Sequence, residues 1–105
     1  MFVIRDIMYC KPGQVRAMAD KFVAMSKLGA RMGMPPMRVM TDFCAERYWT
    51  VVAEMEVPDL DTFDRMTSST PAGASPEAMQ EFEQIMQGYH DLVAKGRREI
   101  YRLHA

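Results

Sequence analysis

The sequence lacks the motifs that most directly identify a chemical activity. Its only two cysteines, Cys10 and Cys44, form no CxxC pair and have no histidine at metal-ligand spacing. The 13 basic residues are balanced by 14 acidic ones, and no lysine or arginine block is long enough to follow a phosphate backbone. The sequence therefore predicts neither a metal site nor nucleic acid as a partner.

Long apolar runs are absent as well. No stretch approaches the roughly 18 consecutive apolar residues of a membrane-spanning helix. Arg5 and Asp6 also interrupt the apolar segment that a secretory signal would need at this position. We therefore expect a cytoplasmic protein without a membrane partner.

The composition that remains is that of an ordinary globular protein. With 49% hydrophobic and 26% charged residues, the 105-residue chain is predicted to form one domain over residues 1–105. A small domain leaves a larger share of its surface exposed than a large one does. Burying one face of the sheet against a second copy of the chain would therefore be a large gain. A homodimer is therefore the expected assembly.

The hydrophobic periodicity changes along the chain in the order β-α-β-β-α-β. Steps of two residues predict strands, whereas steps of three or four predict helices. The predicted strands cover 2–10, 37–44, 47–57 and 98–104; the helices cover 13–32 and a segment from 58 to a stop at Gly96, interrupted at 67–74 and resuming at Ser75. This order predicts an α+β, ferredoxin-like fold with both helices on one face of an antiparallel sheet.

The third predicted strand has one apolar face and one mixed face. We assign its odd-numbered residues, from Trp49 to Met55, to the helix side, and its even-numbered residues, from Tyr48 to Glu54, to the other side. Cys10 and Cys44 should end the first two strands, with another strand between them. That separation exceeds disulfide reach, so both cysteines are predicted to be free thiols that are buried or partly buried.

Two local sequences carry a resemblance to a known superfamily. Lys11-Pro12-Gly13-x-Val15 opens the first helix directly after a strand, and Pro58-Asp59-Leu60 opens the second. With the order of elements, they make the chain resemble the dimeric α/β-barrel superfamily, most closely its NIPSNAP-like and antibiotic-biosynthesis-monooxygenase-like groups. The resemblance implies a homodimer whose two sheets face each other, with a pocket between sheet and helices in each subunit.

The same superfamily includes quinone-forming monooxygenases, haem-degrading enzymes, small-ring isomerases and proteins with no known activity, so its fold does not fix a function. The haem-degrading branch uses a helix histidine, an asparagine on the first strand and a pocket tryptophan. Here His90 is predicted on the second long helix, but the first strand offers Asp6 instead of asparagine and Trp49 is predicted on a strand. Haem binding is the third of three functional interpretations, and no cofactor is assigned.

The leading interpretation is a protein that binds a small apolar or aromatic molecule under the 67–75 loop. If it is an enzyme, Tyr48 and His90 would orient or deprotonate a phenolic or enolic, polyketide-like substrate, and Arg5 would stabilise the anion. The predicted ligand pocket consists of Tyr9, Tyr48, Trp49, Met86 and His90. The alternative is a non-catalytic binding or stress-response module.

Structural explanations exist for the same residues. Trp49 could simply pack in the core, His90 could be a partly solvated residue at the edge of a helix, and Arg5 and Asp6 could be held in ion pairs. The 12 methionines could provide a soft surface that adapts to apolar ligands, or could serve only as core packing.

Overall fold

The computed structural model describes residues 1–67 and 75–105. Its strands are β1 (Phe2–Cys10), β2 (Met37–Thr41), β3 (Thr50–Val57) and β4 (Val93–Arg102), and its helices are α1 (Val15–Arg31), α2 (Leu60–Met66) and α3 (Pro76–Met86). The strands form one sheet in the order β2-β3-β1-β4, and every neighbouring pair is antiparallel. This arrangement confirms the predicted α+β, ferredoxin-like fold.

The helices cover one side of the sheet, which we call the helix side; the other is the open face. Met18 and Phe22 of α1 pack against Val51 and Ala53 of β3, together with Cys10 at the end of β1. Val51 and Ala53 are thus on the predicted side. Because side chains alternate along a strand, the residues between them project to the open face.

Both predicted starts of the second helical segment are confirmed by hydrogen bonds. The Asp59 carboxylate accepts from the backbone N–H of Thr62 at 2.7 Å, and the Ser75 hydroxyl accepts from that of Ala78 at 3.1 Å. Such caps satisfy backbone donors that the first turn of a helix leaves without a partner. The hydrogen bond from Thr62 also lowers the pKa of Asp59.

Two side chains of α1 fix α3 in place. The Lys21 ammonium group donates to the backbone carbonyls of Ile85 and Gln87, at 2.9 and 2.8 Å, and so neutralises the C-terminal end of α3. Arg31 forms an ion pair with Glu81 at 2.6 Å. These contacts link the two helices.

The loop that joins β2 and β3 is longer than predicted, and the two strands are shorter. The predicted strands 37–44 and 47–57 are shortened because Asp42 closes the hairpin early. Its N–H donates to the carbonyl of Thr50 at 3.0 Å, and its carboxylate accepts from the N–H of Thr50 at 2.9 Å. Residues 42–49 therefore form a loop, in which Trp49 has a φ of 62°. The prediction that Trp49 is a strand residue facing the helices was wrong.

The end of the second helical segment also differs from the prediction. Gly88 adopts a φ of 81°, a left-handed conformation that ends the helix. Tyr89–Asp91 then forms a single 3-10 turn, and β4 has already begun at Val93. His90 is therefore not on a long helix, and Gly96 is a strand residue rather than a helix stop.

Two further features concern the chain as a whole. Among the described residues, no helix is long and apolar enough to cross a membrane. Both cysteines are free thiols, as predicted, and Cys10 is buried. Cys44 is exposed in the 42–49 loop, so the prediction that it is at least partly buried was wrong. Burial raises the pKa of the Cys10 thiol, and the nearby charge of Asp42 raises it further.

Candidate ligand-binding site

A cavity of about 410 Å³ lies between the helix side of the sheet and the three helices. Seven of the twelve methionines line it. We call it the methionine cavity; its methionines are Met25, Met32, Met34, Met37, Met55, Met66 and Met79. Unbranched thioether side chains change shape at low cost, so such a wall can adapt to apolar molecules of different outline.

Helical spacing explains how α1 contributes to this wall. Four residues of α1 that line the cavity follow one another at steps of three, one and three residues, which places them on one side of the helix. They are Met25, Leu28, Gly29 and Met32. Phe63 of α2 and Phe82 of α3 complete the apolar lining from the opposite side. The loop predicted to cover the ligand, 67–75, lies outside the described residues except for its two ends.

One ion pair lies in the wall of the methionine cavity. Asp6 of β1 and Arg98 of β4 are direct partners across the sheet. Arg98 Nε donates to Asp6 Oδ1 at 2.6 Å and Nη2 donates to Oδ2 at 3.3 Å. The guanidinium carbon of Arg98 also lies 5.0 Å from the centre of the Phe63 ring. The sequence suggests an ion pair for Asp6 but does not indicate Arg98 as its partner.

The open face carries a second, shallower groove of about 550 Å³, bounded by the 42–49 loop. Arg5, Ile7, Tyr9 and Val52 contribute to its floor. The Tyr9 ring is covered by two guanidinium groups, with Arg47 at 4.8 Å and Arg97 at 5.9 Å from the ring centre. Long arginine side chains thus shield apolar parts of the open face from water.

Glu54 is the most deeply buried charged residue on the open face. Its carboxylate is held by Arg5, 2.9 Å away, and by Arg38. Burial raises the pKa of Glu54, but the hydrogen bonds and charges of the two arginines outweigh that effect and leave the pKa below its usual value. The sequence-based suggestion that Arg5 is held in an ion pair is therefore confirmed.

The pKa of Glu54 predicts acid sensitivity. The pKa of Glu54 is lower in the folded chain than in the unfolded one. The contacts of ionised Glu54 with Arg5 and Arg38 therefore stabilise the fold above about pH 4, and this stabilisation is lost as the pH falls through the pKa of Glu54 in the folded chain. We expect Glu54→Gln to lower the free energy of unfolding at pH 7 by about 1–3 kcal/mol, since both arginines are partly solvated. Urea unfolding at fixed protein concentration should show that, from pH 6 to pH 3, the free energy of unfolding falls less steeply for this variant than for wild type.

Glu56→Gln is the matched control for that experiment. Glu56 is an exposed carboxylate two residues further along β3, on the same face of the sheet. This control should follow the wild-type pH profile. Equal slopes for wild type and Glu54→Gln would contradict the assigned role of Glu54.

The structure does not bring the six predicted site residues into one pocket within a monomer. Arg5 and Tyr9 lie on the open face and contribute to its groove. Tyr48 and Trp49 lie in the 42–49 loop, with 86% and 43% of their surfaces exposed. None of these four lines the methionine cavity.

The remaining two predicted residues, Met86 and His90, also lie outside the lining of both cavities. Met86 is the last residue of α3, and His90 is exposed in the 3-10 turn, where its ring packs on Tyr89 with centroids 3.9 Å apart. The catalytic roles of Arg5, Tyr48 and His90 stay predictions. Among the described residues, no group of three or more histidine, cysteine or acidic side chains could hold a metal ion.

Similarity to solved structures extends over almost the whole chain. The chain is similar to an uncharacterised NIPSNAP-like domain protein from Burkholderia xenovorans, with a TM-score of 0.74, 15% identity, and coverage of 99% of this chain and 85% of that one. A proposed antibiotic biosynthesis monooxygenase from Deinococcus radiodurans matches with a TM-score of 0.61 and 10% identity over 100% and 94% of the two chains. The predicted resemblance to both groups is thereby confirmed for the fold.

A third solved structure is described as a dimeric protein of unknown function with a ferredoxin-like fold, from Bacteroides fragilis. It matches with a TM-score of 0.54 and 13% identity over 97% of this chain and 96% of its own. No family model and no curated protein matches the sequence. At these identities the similarity establishes the fold, and function has to be argued from the site.

Proposed function

We propose that this protein binds a small apolar or aromatic molecule in the methionine cavity. The convergence of seven thioether side chains on one cavity is the observation that carries the proposal. A volume of about 410 Å³ is within the range typical of small-molecule sites, which are mostly apolar with a few polar groups. The ion pair of Asp6 and Arg98 supplies that polar element.

We further propose that the protein is a homodimer in which two open faces meet. The three described helices all lie on the other side of the sheet, so the open face has no layer of its own to cover it. The face carries both arginine and glutamate side chains, which suits the self-complementary contact of a two-fold dimer. The structural relative described as dimeric supports this assembly.

Binding is the function that the cavity supports directly. A cofactor-independent oxygenation or isomerisation of an aromatic ligand stays a prediction, and so does haem binding through His90. A non-catalytic binding module requires only the cavity. If chemistry does take place there, Asp6 and Arg98 are the charged groups in the described lining.

The direct test is titration of the purified protein with N-phenylnaphthylamine, an uncharged dye that fluoresces in apolar surroundings. We expect saturable binding of one dye per chain with a Kd of about 10 μM, a value in keeping with a ligand of this size. A linear, unsaturable signal, or stoichiometry far from one, would contradict the proposal.

A further inference from the structure

The polar side chains of the methionine cavity differ in how much of their hydrogen-bonding capacity is already occupied within the protein. Among the described residues, four polar side chains line it: Asp6, Ser26, Thr67 and Arg98. The Ser26 hydroxyl is engaged with the backbone of Met37, accepting from its N–H at 3.1 Å. The Thr67 hydroxyl donates to a carbonyl of its own helix at 3.0 Å. A ligand therefore meets one substantial polar feature, the pair of Asp6 and Arg98.

Within that pair, Arg98 has the spare hydrogen-bonding capacity. A guanidinium group carries five N–H donors, of which the bonds to Asp6 use two. Both carboxylate oxygens of Asp6, in contrast, already accept a bond from Arg98. Arg98 is also the more accessible partner, with 48% of its side chain exposed against 25% for Asp6. The pair therefore presents donors and positive charge to an incoming group.

The orientation of Arg98 is fixed from two directions. Its bidentate contact with Asp6 sets the plane of the guanidinium, and the ring of Phe63, 5.0 Å away, lies against it. A fixed guanidinium plane with free N–H groups matches the two oxygens of a carboxylate, sulfonate or enolate-type anion. Apart from the hydroxyls of Ser26 and Thr67, which are already hydrogen-bonded, the described remainder of the lining offers apolar side chains to the rest of such a molecule.

From this geometry we infer that the ligand is an amphipathic acid, whose apolar body fills the methionine cavity and whose single anionic group binds Arg98. The inference rests on the proposed ligand-binding function and makes it more specific. Arg98 would determine which ligands are accepted, and Asp6 would hold Arg98 in place while partly neutralising it. An uncharged molecule of the same shape would bind through the methionine wall alone.

Two dyes with the same aromatic framework separate these contributions. N-phenylnaphthylamine is neutral, whereas anilinonaphthalene sulfonate carries one negative charge. We expect Arg98→Met to weaken binding of the sulfonate about tenfold, the effect of losing one partly solvated charge-assisted hydrogen bond. Binding of the neutral dye should stay within about twofold of wild type, which also shows that the cavity is still folded.

Asp6→Asn provides a change of opposite sign. Asparagine keeps one oxygen that can accept the shorter bond from Arg98 Nε and removes the negative charge that partly neutralises the guanidinium. Binding of the sulfonate should therefore strengthen several-fold. Arg16→Met is the matched control, because Arg16 carries the same charge but is 93% exposed on α1 and does not line the cavity. Arg16→Met should leave the affinities for both dyes almost unchanged, because salt screens an exposed charge outside the cavity.

The possible outcomes separate the inference from the proposed function. If neither dye binds wild-type protein in a saturable way, the ligand-binding proposal itself is wrong. If both dyes bind but Arg98→Met and Arg16→Met bind the sulfonate equally well, the cavity is a ligand site and the role of Arg98 is wrong. A loss confined to the sulfonate in Arg98→Met, with a gain in Asp6→Asn, supports the inference.

Discussion

Ala78→Trp is expected to weaken binding of N-phenylnaphthylamine at least about tenfold. Ala78 is a small, partly buried residue of α3 that lines the methionine cavity. An indole at this position would occupy space that the ligand needs and would make the apolar contacts that the ligand otherwise makes. Because the cavity already exists in the protein, the added ring fills a void instead of forcing apart a packed core.

Gln80→Trp is the matched control for this substitution. Gln80 lies on the same helix, two residues further on, but is exposed and does not line the cavity. Both variants should retain the wild-type circular dichroism spectrum, and the control should retain wild-type affinity. Unchanged affinity in Ala78→Trp would place the bound dye somewhere other than the methionine cavity.

Val52→Asp is expected to convert the proposed homodimer into a monomer. Val52 lies on β3, a central strand, and contributes to the groove of the open face. In a dimer with two open faces in contact, the new carboxylate would lose its hydration at a position that Val52 occupies with an apolar side chain, and by two-fold symmetry it would occur twice. Size-exclusion chromatography with light scattering should therefore report the mass of one chain.

Two further variants keep that experiment decisive. Val23→Asp introduces the same charge at a half-exposed position of α1 and should leave the dimer intact. Met40→Asp lies opposite Val52 in the register but is 41% exposed in the monomer, so it should fold normally and still weaken the dimer. A monomeric wild type, or dimeric Val52→Asp and Met40→Asp, would contradict the proposed assembly.

The order of elements was predictable because strands and helices have different apolar periods. The assignment of Val51 and Ala53 to the helix side followed from the same alternation. Periodicity failed where the backbone itself sets the ends of elements. Trp49 continues the alternating pattern in sequence, yet its backbone has a left-handed φ of 62° and β3 begins only at Thr50.

The positions of Tyr89 and His90 show a similar failure. Tyr89 and Val93 continue the apolar spacing of α3, and both pack near the core, but they do so from a 3-10 turn and a strand. The left-handed conformation of Gly88 produces this change, and a glycine within an apolar stripe does not reveal its own φ angle. His90 was consequently predicted on the wrong kind of element.

The candidate site was only partly accessible to sequence analysis. The abundance of methionine indicated a soft apolar surface, but which methionines converge depends on how three helices sit on the sheet. Asp6 and Arg98 are 92 residues apart in sequence and become neighbours only through the register of β1 and β4. Their pairing therefore had no local signal.

The methyl groups of methionine report directly on whether an apolar ligand occupies the methionine cavity. We would record two-dimensional methyl spectra of protein isotope-labelled at the methionine methyl carbons, during titration with N-phenylnaphthylamine, and assign signals with single Met→Leu variants. If the dye occupies the methionine cavity, the signals of its seven methionines will shift and saturate together, while those of Met1, Met8, Met18, Met40 and Met86 stay in place. Shifts concentrated in this second group would contradict binding in the cavity.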